Sequence, residues 1–555
     1  MIKKNMLKEY LRYILPTMLT FTLASVYSIV DGMFVGHAVG DAGVAGINVA
    51  FPLVAFVMAV GTGIGMGGGV ISSIARGAGD EAKSRRAVGT TFTLLLLAAL
   101  PVMALLLFAA EPICRLLGGQ GGTLEQAVAY TSVIAWGVPF QIFVTGCTPL
   151  IRNQGRVGFA MAVQVFAGLM NVALDYVFVM LFGWGTAGAA AATAVSQAAA
   201  FVPVLVFFLM RRNRIARADL RPDGKIVAHA LKLGLAPFGL TLLPEATVVA
   251  INVNLSAYGG ETALAAYAVV SYTACVIQML IQGVGDGSQP LISKHYGAGD
   301  ADGVRRFRNT NYLITISLGA LGLLAMYLLR NQVPLLFGSS AETAAIVAYA
   351  LPIFSMAYVF YGFTHASTSY FYAVDDARAS NAIVYGEAVL VVLVVFGIAR
   401  VAGVDGIWFS VTIVQMVLAC AAGALLRYRH RRHAAQAAPA QGRPASPVGR
   451  CAGADRPEAY ERAAGPVWTG PPGLGCIVRR AVVRRCVRTR GPADASASDC
   501  ATCSAALTAR LLRVVPSIRR PASAHRPRVG PAWRPVRAPI LARAHARAPQ
   551  SRPLC

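Results

Sequence analysis

Twelve stretches of about 20 or more residues, each dominated by apolar side chains, run through the first 430 positions and restrict the fold before anything else does. A helix crossing the roughly 30 Å hydrocarbon core of a bilayer needs about 20 such residues. The stretches fall near 11–35, 46–75, 87–110, 127–151, 158–183 and 186–210, then near 230–258, 262–292, 312–329, 344–372, 381–399 and 404–426. Of 555 residues, 56% are hydrophobic and 14% charged, too little charge to clothe a soluble protein of this length. In lipid a backbone must satisfy its own hydrogen bonds, so an all-α membrane protein of twelve transmembrane helices is expected. Lys3, Lys4 and Lys8 precede the first stretch and no small-residue cleavage site follows it, which predicts an uncleaved first helix.

The net charge of +25 is unevenly spread. Positions 1–433 hold 29 Lys and Arg against 20 Asp and Glu, whereas 434–555 hold 21 Arg against 5 acids. Within the apolar part the basic residues alternate by side. One set of connections carries Arg76, Lys83, Arg85, Arg86, Arg152, Arg156, the 211–225 cluster, Lys294, Arg305, Arg306, Arg308 and Arg378; the other carries only Arg115, Arg330 and Arg400. Positively charged connections stay in the cytoplasm. A multi-pass membrane protein is expected, with both termini cytoplasmic. Topology accounts for these clusters, and nucleic acid is not invoked.

The chain repeats itself. At a shift of 220, Gly40-Asp41 falls on Gly260-Glu261, and Gly65 and Gly67 fall on Gly285 and Gly287. Gly77-Ala78-Gly79-Asp80 falls on Gly297-Ala298-Gly299-Asp300, and Arg85-Arg86 on Arg305-Arg306. Six stretches per copy bring both copies into the membrane the same way. This predicts two pseudo-symmetric six-helix bundles, parallel repeats about an axis along the membrane normal, with sites between them near the midplane. The expected units are 1–210, a cytoplasmic linker at 211–229, a second bundle at 230–433 and a tail at 434–555.

Ionisable residues inside spans are costly and hence candidates for function. Asp31 lies late in the first span. Asn171 and Asp175 share one face of the fifth, and Thr193 with Gln197 lies in the sixth. Their hard oxygens suit a small cation such as sodium, and a carboxylate pair suits a proton equally. A shift near 218 sets Gln197 on Gln415 and Val389, Leu393 and Val411 opposite Asn171, Asp175 and Thr193. Polar glue between helices would be wanted in both halves, so its presence in one favours function. Glu245 stands eight residues after Pro237, as a group for cationic substrate or proton in a central cleft. Asn252 is the rough counterpart of Asp31, and Gln141, Gln278 and Gln282 are further cavity candidates. Glu387 is another intramembrane polar group, and His365 reads as a packing histidine.

The glycine runs 61–69 and 283–287 lie inside apolar helices with no preceding strand, so they serve close packing rather than nucleotide binding. No Walker A, HExxH or GxSxG pattern is present, so neither ATP drive nor an enzyme is expected. Cys114, Cys147, Cys275 and Cys420 are scattered through the spans and indicate no disulfide framework. The tail lacks Lys, Asn, Phe and Met and is rich in Arg, Ala and Pro, as a frameshift or read-through into GC-rich sequence would be. Its composition predicts disorder. Its lone Cys500–Cys503 pair has no second ligand pair for a metal. No function is assigned to it.

From about Leu7 to Arg427 the chain resembles the MATE (multidrug and toxic compound extrusion) antiporters. The resemblance is carried by Val30-Asp31-Gly32 with Phe34-Val35-Gly36, by Asn171 with Asp175, and by Gly188-Ala189-Ala190 with Thr193 and Gln197. Gly287-Ser288-Gln289-Pro290 and Tyr296-Gly297-Ala298-Gly299-Asp300 complete it. It implies a V of two six-helix bundles and alternating access driven by a sodium or proton gradient. The implied substrates are amphipathic, often cationic drugs or toxic metabolites, handled by a monomer in the lipid bilayer without a bound cofactor. In the branch resembling the DNA-damage-inducible and MepA-like proteins, an Asp, an Asn, a second Asp and a Thr hold the cation, matching Asp31, Asn171, Asp175 and Thr193. Glu245 resembles the span-seven glutamate of another branch, whose span-ten aspartate has no counterpart at 361–369. The coupling ion stays open between sodium and proton. Two other readings are weighed: a lipid-linked precursor flippase, which would want a basic cleft, and a non-transporting receptor or scaffold.

Overall fold

A computed structural model describes residues 4–210 and 215–441. Twelve α-helices and one π-helical turn make up these residues, with no strand among them. They are α1 (Lys4–Val39), α2 (Asp41–Gly77), α3 (Glu81–Leu116), α4 (Gly121–Asn153), α5 (Val157–Asp175), α6 (Gly185–Leu209), α7 (Gly224–Gly297), α8 (Ala301–Leu329), α9 (Val333–Leu336), α10 (Ala341–Ser355), α11 (Ala357–Ala373) and α12 (Ala377–Gln441). The π turn, Tyr176–Leu181, follows α5 directly. The rest of the expected tail, from 442 on, lies outside the described residues.

Nine described helical segments are long and apolar enough to cross a membrane. Two of them are double crossings. In α7, Gly260 leaves the helical region at φ 69°, and in α12 Gly403 does so at φ 58°. Ala230 and Lys294 are 64 residues apart, about 96 Å along a straight helix. Yet their carbonyls abut Gly67 and Gly77 of α2, which are only about 15 Å apart. The helix therefore doubles back at Gly260. In α12, Gln415 Nε2 donates to Glu387 Oε1 at 2.6 Å, which requires the same reversal at Gly403. The first span, α1, completes the expected twelve, and the tenth, already among the nine, is broken at Met356 between α10 and α11. α7 starts at Gly224, six residues before the expected second bundle.

The repeat is written into the backbone. Positive-φ positions at Gly40, Gly79, Gly118, Gly155 and Gly183 recur 220 residues on at Gly260, Gly299, Gly338, Asp375 and Gly403. Asp375 is the only non-glycine residue among them, and its carboxylate meets the His229 ring at 2.5 Å. Glycine prevails at such turns because it bears no Cβ. Asp375 is thus the second copy's substitute for the glycine of the first.

One apolar core gathers residues of α2 to α6, among them Leu95, Phe143 and Phe208; another gathers Ile251, Tyr267, Phe354 and Trp408. Between them, Met66 and Val70 meet Ala230, Leu233 and Tyr372, while Tyr10 and Ile14 of α1 meet Val284 and Leu291. Large apolar side chains such as Leu97, Leu100, Leu321 and Leu328 are left exposed on the outside. Lipid tails exact no penalty for that.

Candidate functional site

Spans two and eight decide which end is open. Beyond Gly63 in α2, and beyond Gly283 in α7, ten successive residues are buried on every side. Before those positions, which are again 220 apart, the same helices are partly exposed along their length. The halves are therefore sealed at the end that bears the Lys- and Arg-rich connections and part towards the other. Close backbone approach makes the seal: a Cβ on Gly77 would run into the Lys294 carbonyl, and one on Gly297 into the Ile74 carbonyl.

Within the first half, α1, α5 and α6 bring the four expected coupling residues together. Asp175, the last residue of α5, is fully buried, and Asn171 one turn earlier is 5% exposed. The Asn171 amide Nδ2 donates to Thr193 Oγ1 of α6 at 3.3 Å. Half-buried Asp31 reaches across from α1, its carboxyl within hydrogen-bonding range of Asp175. The contact is acceptor to acceptor. Neither oxygen of Asp175, nor Oδ1 of Asp31, has a donor among the described residues. A carboxylate pair so placed demands a proton or a cation between its members. No group of three or more His, Cys, Asp or Glu surrounds it among the described residues. Two carboxylates with the neutral Thr193 and Asn171 oxygens are hard ligands of the kind a small cation accepts. The π turn that begins at Tyr176 widens the helix right after Asp175, a departure frequent at functional positions. A small cavity beside this cluster is lined by Thr193, Gln197 and Gln141, so Gln141 belongs to the first half's interior.

The other expected cavity residues, Glu245, Asn252, Gln278 and Gln282, are partly buried in the two arms of α7, on its loosely covered stretch. Glu245 interacts with Tyr267 and Cys275, and Cys275 contacts Ser25 of α1. His365 stacks on Tyr361 and packs against Gly285, with neither ring nitrogen hydrogen-bonded among the described residues.

The family model described as MatE matches residues 16–177 and 237–419, once in each copy of the repeat. The chain belongs to the MatE family. Multidrug export protein MepA of Staphylococcus saprophyticus is 25% identical over 425 residues, covering 76% of this chain and 93% of that one. Probable multidrug resistance protein YoeA of Bacillus subtilis is 25% identical over 359 residues, 63% of this chain and 77% of its own. A solved structure described as the outward-facing conformation of a multidrug resistance MATE family transporter of the MOP superfamily shares the fold. Its TM-score is 0.71 at 22% identity, over 76% of this chain and 95% of that one.

This MatE protein corrects one expectation about its repeat. Val389 and Leu393 are 60% and 64% exposed, so they cannot stand opposite buried Asn171 and Asp175. The 220-residue shift holds through Gly403, which puts Val391 and Val395, both buried, at those places. The shift becomes 218 only after that turn. The mates are still apolar, but Glu387, at the place of Ala167, is a partly buried acid bonded to Gln415.

Two charged residues of the MatE chain had not been singled out as site groups. Asp286, 4% exposed, lies inside the 283–287 glycine run, and Arg152, 7% exposed, is one of the basic residues that set the topology reading. They approach to 4.0 Å across the two halves. An aspartate within a span was the available signal, obscured by the glycines around it.

Proposed function

We propose that this chain is a secondary active exporter of amphipathic, often cationic, compounds, exchanging them for a sodium ion or a proton at Asp31, Asn171, Asp175 and Thr193. The observation that carries this reading is the buried Asp31–Asp175 contact with no donor to satisfy it. The names of the relatives, a multidrug export protein and a probable multidrug resistance protein, support the substrate class. The basic end is cytoplasmic on the positive-inside rule, so the open side faces outward. A monomer suffices, because both halves come from one chain.

In the mechanism, a cation or proton arriving from outside occupies the carboxylate pair and removes its repulsion. Asp31 is carried by α1, whose other end packs with Ile14 and Thr17 against Gly287 of the second half. Neutralising the pair lets α1 repack along both halves at once. A cationic compound in the cleft loses the negative field of Asp31, Asp175 and Glu245 and is released. The coupling exists because each ligand favours a different state.

The test uses the full chain in proteoliposomes loaded with a cationic dye, with sodium and proton gradients imposed separately. Dye movement that follows one gradient, and loses that dependence in Asp175→Asn, supports the reading. Full export with full ion dependence in Asp175→Asn refutes it.

A further inference from the structure

Sealing of the basic end is not left to apolar packing. Arg152 Nη2 of α4 lies 4.0 Å from Asp286 Oδ2 of α7, and the Tyr372 hydroxyl of α11 donates to Asp286 Oδ1 at 3.0 Å. One turn on, the amides of Asn153 and Gln289 are reciprocal. Asn153 Nδ2 donates to Gln289 Oε1 at 3.0 Å, and Gln289 Nε2 donates to Asn153 Oδ1 at 3.2 Å. Ser73 Oγ donates to Asn153 Oδ1 at 2.7 Å, and Gln289 Nε2 donates also to Ser293 Oγ at 2.8 Å. Arg152, Asn153, Asp286 and Gln289 are each more than nine-tenths buried. The repeat organises the cluster: Arg152 and Tyr372 are mates at the 220 shift, as are Ser73 and Ser293. Asp286 is approached by one mate from each half.

We infer that this Arg152–Asp286–Tyr372 cluster, with the Asn153–Gln289 amide pair, is the latch that holds the basic end of the two halves shut. The inference rests on the alternating-access reading above and names the groups that control one of its two gates. A polar latch suits an interface that must open in every cycle. Parting the halves admits water, which solvates each of these groups, whereas an apolar seam would gain nothing from parting. Removing one partner leaves the other unpaired only in the closed state. The equilibrium then moves towards the open state by about tenfold or more. Replacing Arg152, Asp286 and Tyr372 together by apolar side chains has the opposite sign, because that cluster then holds nothing for water to reward.

Hydrogen–deuterium exchange on the full chain in lipid nanodiscs tests this without requiring transport. Arg152→Gln is expected to raise exchange about tenfold in 70–77, 149–157, 286–299 and 369–376, with slower exchange at the opposite end. The triple variant Arg152→Met, Asp286→Leu, Tyr372→Phe is expected to slow exchange in the same segments below the wild type. Wild-type exchange there in Arg152→Gln overturns the latch, as does faster exchange in the triple variant. Should Arg152→Gln exchange everywhere as an unfolded chain does, Tyr372→Phe decides, since it removes one hydroxyl and no charge. Faster basic-end exchange then supports the latch, and unchanged exchange overturns it. A wild type that moves no dye under any gradient would sink the exporter reading and leave these exchange results standing.

Discussion

Asp175→Asn separates a coupling site from polar glue by the sign of its effect on stability. Both Asp175 oxygens are buried without a donor, and they face the Asp31 carboxyl, whose Oδ1 lacks one too. An unsatisfied buried polar group costs about 1–3 kcal/mol, and a new buried hydrogen bond returns about 1 kcal/mol. An amide at 175 removes the charge and offers its N–H to Asp31 without changing side-chain volume. The variant should therefore be stabler than the wild type by about 2 kcal/mol, a rise of about 1–3 °C in melting temperature for a chain of this size. The measurement is intrinsic-fluorescence melting of the full chain in detergent at neutral pH without sodium. A coupling ion that binds the wild type raises its melting temperature by mass action and leaves the variant unmoved. A glue residue behaves oppositely, since its loss breaks helix contacts. A variant melting several degrees lower, with unchanged ion dependence, would refute the assignment of Asp175 to coupling.

Glu387→Ala should destabilise by about 2–4 kcal/mol, because it strands the Gln415 amide, whose Oε1 is already without a partner; Glu387→Gln keeps the acceptor and should cost less. Melting of the two variants side by side checks the order. Gly65→Ala forces a methyl into the Gly146 backbone and should cost about 1–3 kcal/mol or abolish folding, whereas Gly122→Ala meets open space and should be neutral or better; folded yield reads both. At the head of α8, the Gly303 N–H donates to Asp300 Oδ1 at 2.8 Å, and with His295 it holds the Asp300 carboxyl below its ordinary 3.8. A depressed carboxyl contributes stability that is present above its ordinary value and lost as pH falls through the lowered one. Asp300→Ala should therefore cost about 1 kcal/mol at neutral pH, and its deficit should close below about pH 4 in a melting series.

The spans and the repeat were legible because lipid leaves so few alternatives. A bilayer core imposes segment length, and Gly-Ala-Gly-Asp beside paired arginines marks the same turn twice. Register within a span was less legible. A single shift carried past Gly403 displaced Val389 and Leu393 onto the outward face, since the eleventh-to-twelfth turn is two residues shorter than its mate. The π turn after Asp175 leaves no mark in Tyr176–Leu181, and the break at Met356 is marked only by Pro352 one turn earlier. Asp286 was visible as a charge in a span, but its partners come from α4 and α11, more than 80 residues away on either side. Only the fold brings them within reach.

One scaffold used twice serves two different ends in this chain. Near the pseudo-symmetry axis, mates from both halves converge on Asp286, and closing acts on both halves alike. Away from the axis, the carboxylate pair occupies the first half alone, with Val391 and Val395 at the mates of Asn171 and Asp175. On the proposed function an ion bound there acts on one half, so something must carry its effect across. α1 is the helix placed to do so. It presents Asp31 to Asp175 and, about 21 Å away along its axis, sets Ile14 and Thr17 against Gly287, the residue next to Asp286. Pro16 removes one backbone donor at that contact and makes α1 easiest to bend there. Occupancy of the carboxylate pair and pairing of the latch are thus two ends of one helix, and Pro16→Ala should weaken their coupling. In the exchange experiment above, adding the coupling ion should slow or speed the basic-end segments of the wild type. The same addition should do so less in Pro16→Ala. An equal response in both would mean that α1 is not the carrier.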